Sequence, residues 1–179
     1  MENVTLQIDG RQLQAPEGAT ILQAAKAAGI DIPTLCDDER LEPYGACRMC
    51  MVEVQARGRK KYVASCLYPV QQGLQVQTKS DKLTRMRRTI LELIWPCGQD
   101  HAREYGLTGS RFRSDMADCN QCGMCVRYCA EVKKAGVVYF KGRGIDRRPA
   151  LVEPASTECA SCGECFNLCR GGWIVASRK

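Results

Sequence analysis

TLCDDERLEPYGACRMCMVEV, from Thr34 to Val54, carries Cys36, Cys47 and Cys50 ahead of an alternating apolar run, and a fourth cysteine, Cys66, follows in YVASCLYPV from Tyr62 to Val70. The four are spaced C-x10-C-x2-C-x15-C. Upstream, VTLQI, then Asp9-Gly10, then RQLQA reads as a β-hairpin, because Asp-Gly suits a two-residue type I′ turn. A helix follows: Thr20 is its N-cap with Gln23 three residues on, Ile21, Leu22, Ala25 and Ala28 form one apolar face, and Gly29 closes it. Downstream, Met51 to Ala56 and Tyr62 to Ser65 read as strands separated by the polar turn RGRKK, with a last strand at Leu74 to Thr78. A small mixed sheet crossed by one helix is the assembly these elements predict.

Beyond residue 78 the pattern changes. Ser80 is placed to cap a helix whose Leu83, Met86, Ile90, Leu91 and Ile94 recur at helical spacing, and Pro96 is expected to end it. From about Ser114 onward an internal repeat appears: CNQCGMCVRYC at Cys119 to Cys129 and CASCGECFNLC at Cys159 to Cys169. Two copies make a pseudo-symmetric pair and not a solenoid. The expected organisation is therefore α+β, with one domain at 1–78, a helical connector at 79–113 and a second domain at 114–179. In a chain of 179 residues each domain is too small to bury a large apolar core, so something else must help hold it together.

Thirteen cysteines point to disulfides or metal centres. Met1 to Ala15 alternates apolar and polar residues, with no basic start, no apolar h-region and no small-residue cleavage site, so a cytoplasmic location with reduced thiols is expected. No apolar run approaches the roughly 18 residues of a membrane span. Cys119, Cys122, Cys125 and Cys129 follow C-x2-C-x2-C-x3-C, and Cys159, Cys162, Cys165 and Cys169 repeat it without change. Steps of two residues let a short loop set three thiolates around one face of a 4Fe-4S cube, and Gly123 and Gly163 can relax the backbone there. Zinc sites instead favour two ligand pairs separated by a longer loop. In bacterial two-cluster ferredoxins, which the repeat resembles, the fourth cysteine of each run serves the other cluster. Carried over by position, this implies one 4Fe-4S cluster on Cys119, Cys122, Cys125 and Cys169 and another on Cys159, Cys162, Cys165 and Cys129. The ferredoxin run usually places proline after its fourth cysteine, whereas Ala130 and Arg170 stand here.

The x10 gap between Cys36 and Cys47 departs from the x4 of plant-type 2Fe-2S proteins. With its flanks it resembles the 2Fe-2S domain of FeFe hydrogenases, of the large iron-sulfur subunit of respiratory complex I and of the small diaphorase subunits of NAD-reducing hydrogenases. The resemblance implies a β-grasp ferredoxin domain with one 2Fe-2S cluster on Cys36, Cys47, Cys50 and Cys66, and it continues through nearly the whole chain. One piece departs. That family usually carries a further 4Fe-4S cluster on one histidine and three cysteines before a Gly-Ser-Arg-Phe-like segment. In LELIWPCGQDHAREYGLTGSRF only Cys97 and His101 remain, in reversed order. Cys97 is read as a small buried hydrophobe and His101 as an ordinary surface or helix residue.

The resemblance implies an electron-transfer subunit of a cytoplasmic, multi-subunit, NAD(P)-linked oxidoreductase, with a flavin/NAD(P)-binding subunit and a further redox or catalytic subunit as partners. The chain reaches Lys179 ten residues past its last ligand, so wiring without a terminal catalyst is expected, and no catalytic residue is assigned. No Gly-rich fingerprint follows a predicted strand. The alternative is a freely diffusing multi-cluster ferredoxin. The formal charge of +6 gathers in local groups, among them Arg85, Arg87 and Arg88 and the Lys141 to Arg148 stretch, which are solvated faces or docking sites for an acidic partner. Nucleic-acid binding is disfavoured, since aromatics make up only 6% of the chain and do not interleave with these groups.

Overall fold

The computed structural model of the chain describes residues 2–56, 58–95, 97–112, 119–152 and 161–169. Two compact units make it up, unit 1 comprising Met1–Asp37 and Pro43–Ile90 and unit 2 comprising Asp38–Glu42 and Leu91–Lys179.

Unit 1 is mixed α+β. Strands β1 (Asn3–Ile8) and β2 (Arg11–Pro16) pair from Asn3↔Pro16 to Ile8↔Arg11. Asp9 and Gly10 both adopt positive φ, 48° and 82°, which gives the hairpin the primed turn its twist requires. Asp9 also acts at long range. Its carboxylate accepts from the Thr78 amide at 2.7 Å and from the Thr78 hydroxyl at 2.5 Å, tying the turn to the far end of the unit. Helix α1 (Ile21–Ala27) starts at a complete capping box. The Gln23 amide donates to Thr20 Oγ1, and the Thr20 amide donates to Gln23 Oε1. It ends in a Schellman motif, with Gly29 at φ 67° and the Ile30 amide donating to the Ala25 carbonyl at 2.9 Å.

Strands β3 (Met51–Ala56), β4 (Arg59–Ala64) and β5 (Gln75–Gln77) complete a five-stranded sheet ordered β2-β1-β5-β3-β4. Only β1 and β5 run parallel. Its inner face and α1 share one core that includes Leu6, Ile8, Ile21, Leu22, Val52, Val54 and Val76. The RGRKK turn is shorter than the sequence suggested, because Ala56 pairs with Arg59, and Lys60 and Lys61 lie inside β4. The reason is cross-strand pairing: Lys60 Nζ sits 2.9 Å from Glu53 Oε1, and Tyr62 donates to the same carboxylate at 2.7 Å.

Helix α2 (Asp81–Leu93) starts where Ser80 Oγ accepts from the Leu83 amide at 3.2 Å, and it buries Leu83 and Leu91. Pro96 lies outside the described residues. The last turn of α2 is held within unit 2 by the GSRF segment. Ser110 Oγ donates to the Glu92 carbonyl at 2.6 Å, and Arg111 forks onto the buried Glu92 carboxylate with two bonds of 2.7 Å. Unit 2 also contains α3 (Gln99–Ala102), α4 (Met124–Arg127) continuing into a π-helical turn (Tyr128–Val132), and a hairpin of β6 (Val138–Lys141) and β7 (Arg148–Leu151). That hairpin absorbs part of the basic stretch: Lys141 pairs with Arg148, and Arg147 stacks over Phe140. Among the described residues no helix is long and apolar enough to cross a membrane.

Since the capping box satisfies two otherwise orphaned amides, Thr20→Ala should cost about 1 kcal/mol of unit 1 stability. Denaturant unfolding of the full chain followed by circular dichroism reads this as a lowered midpoint at unchanged slope.

Candidate metal centres

In unit 1 the sheet delivers the thiols. Cys47 and Cys50 stand immediately before β3, and Cys66 follows β4. Their hairpin runs one step past its last ladder pair, with the Ser65 amide donating to the Cys50 carbonyl at 3.1 Å, and this sets Cys50 Sγ 3.4 Å from Cys66 Sγ. Cys36 arrives on the loop after α1, where the Cys47 amide donates to its sulfur at 3.4 Å. Cys36, Cys50 and Cys66 are buried and Cys47 is half-buried. Within each pair one sulfur ionises easily. The Cys47 thiol lowers Cys36 to about 6, and the Cys66 thiol, with Ser65 acting in the same direction, lowers Cys50 to about 6. Cys47 and Cys66 are raised in return, first by those same bonds and then by burial.

The loop achieves this with unusual backbone. Gly45 has φ 67° and Arg48 φ 61°, the left-handed region that non-glycine residues seldom occupy. A Cβ on Gly45 would lie 2.4 Å from Leu67 Cδ1 and 4.0 Å from Cys66 Sγ, so backbone comes close to the sulfurs here. Arg87 corrects the sequence reading. It is 4% exposed, and its guanidinium donates to the Met49 carbonyl at 3.2 Å and the Met51 carbonyl at 2.8 Å, so it braces the cysteine loop and is no part of a docking face. No short-range signal marks it, since its partners lie more than thirty residues away in sequence.

Unit 2 carries the remaining thiols. The two repeat copies use one device: Gly123 at φ 76° precedes α4, and Gly163 at φ 60° precedes a 3-10 helix (Glu164–Leu168). Cys125, Cys129 and Cys165 belong to the buried core with Met124, Tyr128 and Val137, and Cys122 and Cys169 pack against it. Burial pushes Cys125 up to about 12, and the charges of Cys122, Cys169, Cys165 and Cys119 act in the same direction. Cys119 is raised by burial and by Cys169. Cys129, Cys162 and Cys165 line a single cavity of about 360 Å³ with Tyr128 and Phe166, and the Val137 amide donates to Cys129 Sγ at 3.2 Å. Cys159 lies outside the described residues. Around the cavity Glu164 accepts from the Tyr128 hydroxyl at 2.7 Å and from Lys133 at 2.6 Å.

Residues 38–42, from within the loop between Cys36 and Cys47, also belong to unit 2. Leu41 is in the core with Cys125 and Cys129, Arg40 stacks over Tyr128 at 4.9 Å, and Arg127 donates to the Glu42 carbonyl. Glu131 accepts from the Glu42 amide at 3.1 Å and pairs with Arg127 at 2.9 Å. Cys97 is buried, as its sequence context suggested, and His101 is half-buried on α3.

Among the described residues no group of three or more His, Cys, Asp or Glu side chains is arranged to hold a single metal ion. The donor set suits a cluster better: soft sulfur ligands select iron-sulfur groups, the unit 1 thiols come in two close pairs, and Ser65 Oγ beside them is a buried polar atom with no partner among the described residues.

Residues 1–81 match the 2Fe-2S iron-sulfur cluster binding domain, which fixes the class of unit 1. NADP-reducing hydrogenase subunit HndD of Solidesulfovibrio fructosivorans is 33% identical over 98% of this chain and 36% of its own length. The mitochondrial NADH-ubiquinone oxidoreductase 78 kDa subunit of Neurospora crassa is 30% identical over 97% of this chain and 27% of its own. The chain thus spans about a quarter to a third of these curated relatives. Among solved structures, a chain of an NAD+-reducing NiFe hydrogenase in the H2-reduced state aligns with a TM-score of 0.74 and 33% identity, over 84% of this chain and 76% of that one. The chain belongs to the 2Fe-2S iron-sulfur cluster binding family found in the iron-sulfur subunits of NAD(P)-linked hydrogenases and oxidoreductases.

Gly45→Ala should lower retention of the unit 1 cluster while leaving unit 2 unchanged. Leu67 can swing aside, yet the left-handed backbone still costs about 1 kcal/mol. Iron content and the 2Fe-2S electron paramagnetic resonance (EPR) signal per chain measure the effect.

Proposed function

We propose that the chain is a non-catalytic electron-transfer subunit of a multi-subunit, flavin-containing, NAD(P)-linked oxidoreductase of diaphorase or electron-bifurcating hydrogenase or transhydrogenase type. It hands single electrons between a flavin/NAD(P)-binding subunit and a further redox subunit, in the cytoplasm. The observation that carries this reading is similarity along 97–98% of the chain to proteins that are themselves named as subunits, one of an NADP-reducing hydrogenase and one of an NADH-ubiquinone oxidoreductase. That similarity favours a subunit over a freely diffusing ferredoxin.

In this reading residues 1–78 are a β-grasp 2Fe-2S domain, 79–113 a helical connector and 114–179 a two-cluster 4Fe-4S domain. Cys36, Cys47, Cys50 and Cys66 hold the 2Fe-2S cluster. Cys119, Cys122, Cys125 and Cys169 hold one 4Fe-4S cluster, and Cys159, Cys162, Cys165 and Cys129 the other. The mixed sheet order supports the first assignment. The crossed ligation is supported by Cys129 sharing a cavity with Cys162 and Cys165, and by the Cys169 charge felt at Cys119. When bound, such clusters supply outer-sphere one-electron chemistry. The protein's own part is to bury the thiols, to hold loop carbonyls and amides in place, and to exclude water with Leu35, Met49 and Leu168.

Anaerobically reconstituted protein should contain about ten irons per chain, and Cys97→Ala should leave that figure unchanged. Near six, one 4Fe-4S assignment goes; near fourteen, Cys97 and His101 have been misread. Cys129→Ser should damage the centre built on Cys162 and Cys165, whereas damage confined to the Cys119 centre would rule out the crossing. The isolated chain should not oxidise NADH or NADPH, yet its clusters should be reduced once a cognate flavin subunit is added with nicotinamide. Stopped-flow reduction checks this, and rapid NADH oxidation by the chain alone would sink the subunit reading.

A further inference from the structure

We propose that Ser65 donates a hydrogen bond to the Cys50 sulfur and thereby sets the reduction potential of the unit 1 centre; the role rests on the ligand set proposed above. Met51 is opposite Ala64, and one step further the Ser65 amide donates to the Cys50 carbonyl at 3.1 Å, which makes Cys50 and Ser65 directly opposed. Opposed residues project to the same face of a sheet with their Cβ atoms about 4.5–5.5 Å apart. Cys50 shares its face with Val52 and Val54, two residues apart along the strand and both fully buried. The Ser65 side chain is therefore sealed in on the sulfur side of the hairpin.

Ser65 is 0% exposed, Oγ has no partner within ordinary hydrogen-bond distance among the described residues, and the thiol whose ionisation its side chain favours is Cys50. A buried hydroxyl without a partner is costly, and alanine would fill nearly the same space without that cost. The neighbouring group able to offset it is the Cys50 sulfur, with Cys66, the next residue in the chain, bringing its own sulfur to 3.4 Å from Cys50. A thiolate is a much stronger acceptor than a thiol, and ligation holds Cys50 in the thiolate form, so the cluster-bound sulfur is the acceptor this buried hydroxyl can use. Hydrogen bonds to cluster sulfurs are among the levers by which a protein sets potential.

The sign follows from charge. Reduction brings one electron from the external couple into the cluster and breaks no bond, and the added negative charge is partly carried by the ligand sulfurs. A donor at Cys50 favours the reduced form over the oxidised one. Removing it should disfavour reduction about tenfold, which for one electron is a midpoint about 59 mV more negative.

The test is an EPR-monitored redox titration of the full reconstituted chain, with iron content measured alongside. Ser65→Ala should retain iron and shift the 2Fe-2S midpoint to more negative values, leaving the unit 2 signals in place. Ser65→Thr, which keeps a hydroxyl, should return the midpoint toward that of the parent chain. An unchanged midpoint in Ser65→Ala at full iron content, or an equal shift in Ser65→Thr, would overturn the proposal. Should Ser65→Ala lose iron, Ser65→Gly removes the same hydroxyl, and loss of iron in both assigns Ser65 a purely structural role and overturns it too. Cys50→Ser separates the two readings, because an unaltered 2Fe-2S signal there would defeat the ligand set itself.

Discussion

The bond from the Ser65 amide to the Cys50 carbonyl is where the sheet passes from ladder to thiol cluster. It extends the β3–β4 ladder by one residue past Met51↔Ala64 and so fixes which way Cys50 and Ser65 point. Strand side chains alternate, so a slip of one residue would turn Cys50, Val52 and Val54 out of the core together. Hydrophobic burial of the two valines thus enforces the orientation of the thiol. The outer face reinforces the register from the other side, through Glu53 with Tyr62 and Lys60. A salt bridge at the surface is worth little by itself. Here it matters because it agrees with the buried pattern and makes the slipped pairing worse.

Unit 2 solves a different problem. Its core is small, and Cys125, Cys129 and Cys165 make up a third of the buried residues in it. Sulfur packs there well enough. Thiols drawn together in one small unit nevertheless add little cohesion unless something binds them, and metal-binding free energy is folding free energy when the ligands are brought together only in the native state. The glycines at positive φ ahead of each helical turn, Gly123 and Gly163, fit this arrangement, since both keep a tight backbone course around the cysteines at no steric cost. The π-helical turn at Tyr128–Val132 widens the helix where Cys129 must face the cavity, a distortion often found at functional sites.

What the sequence made legible was local or repeated. The Asp9-Gly10 turn, the Thr20 capping box, the Gly29 terminus and the Ser80 cap each depend on residues within a few positions of one another, and all four occur where spacing put them. The missed features depend on partners far away in the chain. Thr78 on Asp9, Arg87 on the Met49 and Met51 carbonyls, and Arg111 on Glu92 could not be inferred from spacing. The β6–β7 hairpin was hidden for another reason: its basic residues looked like a solvated loop, while Val138, Phe140 and Pro149 supplied the strand pattern beneath them.

The ten-residue gap between Cys36 and Cys47 serves the second unit more than the first. Ligand geometry does not require it, for the Cys47 amide already reaches the Cys36 sulfur and plant-type chains manage with four residues. Lengthening a loop from four to ten residues costs only about 0.8 kcal/mol in closure entropy. Burying a leucine side chain contributes about 1.5–3 kcal/mol, and Leu41 is 8% exposed within the unit 2 core. The balance favours the longer loop even before the Arg127 and Glu131 bonds to the Glu42 backbone are included. The extra residues are therefore structure belonging to unit 2, inserted between two cysteines of unit 1, and the spacing that looked like a departure from a ligand pattern reflects the needs of a second core.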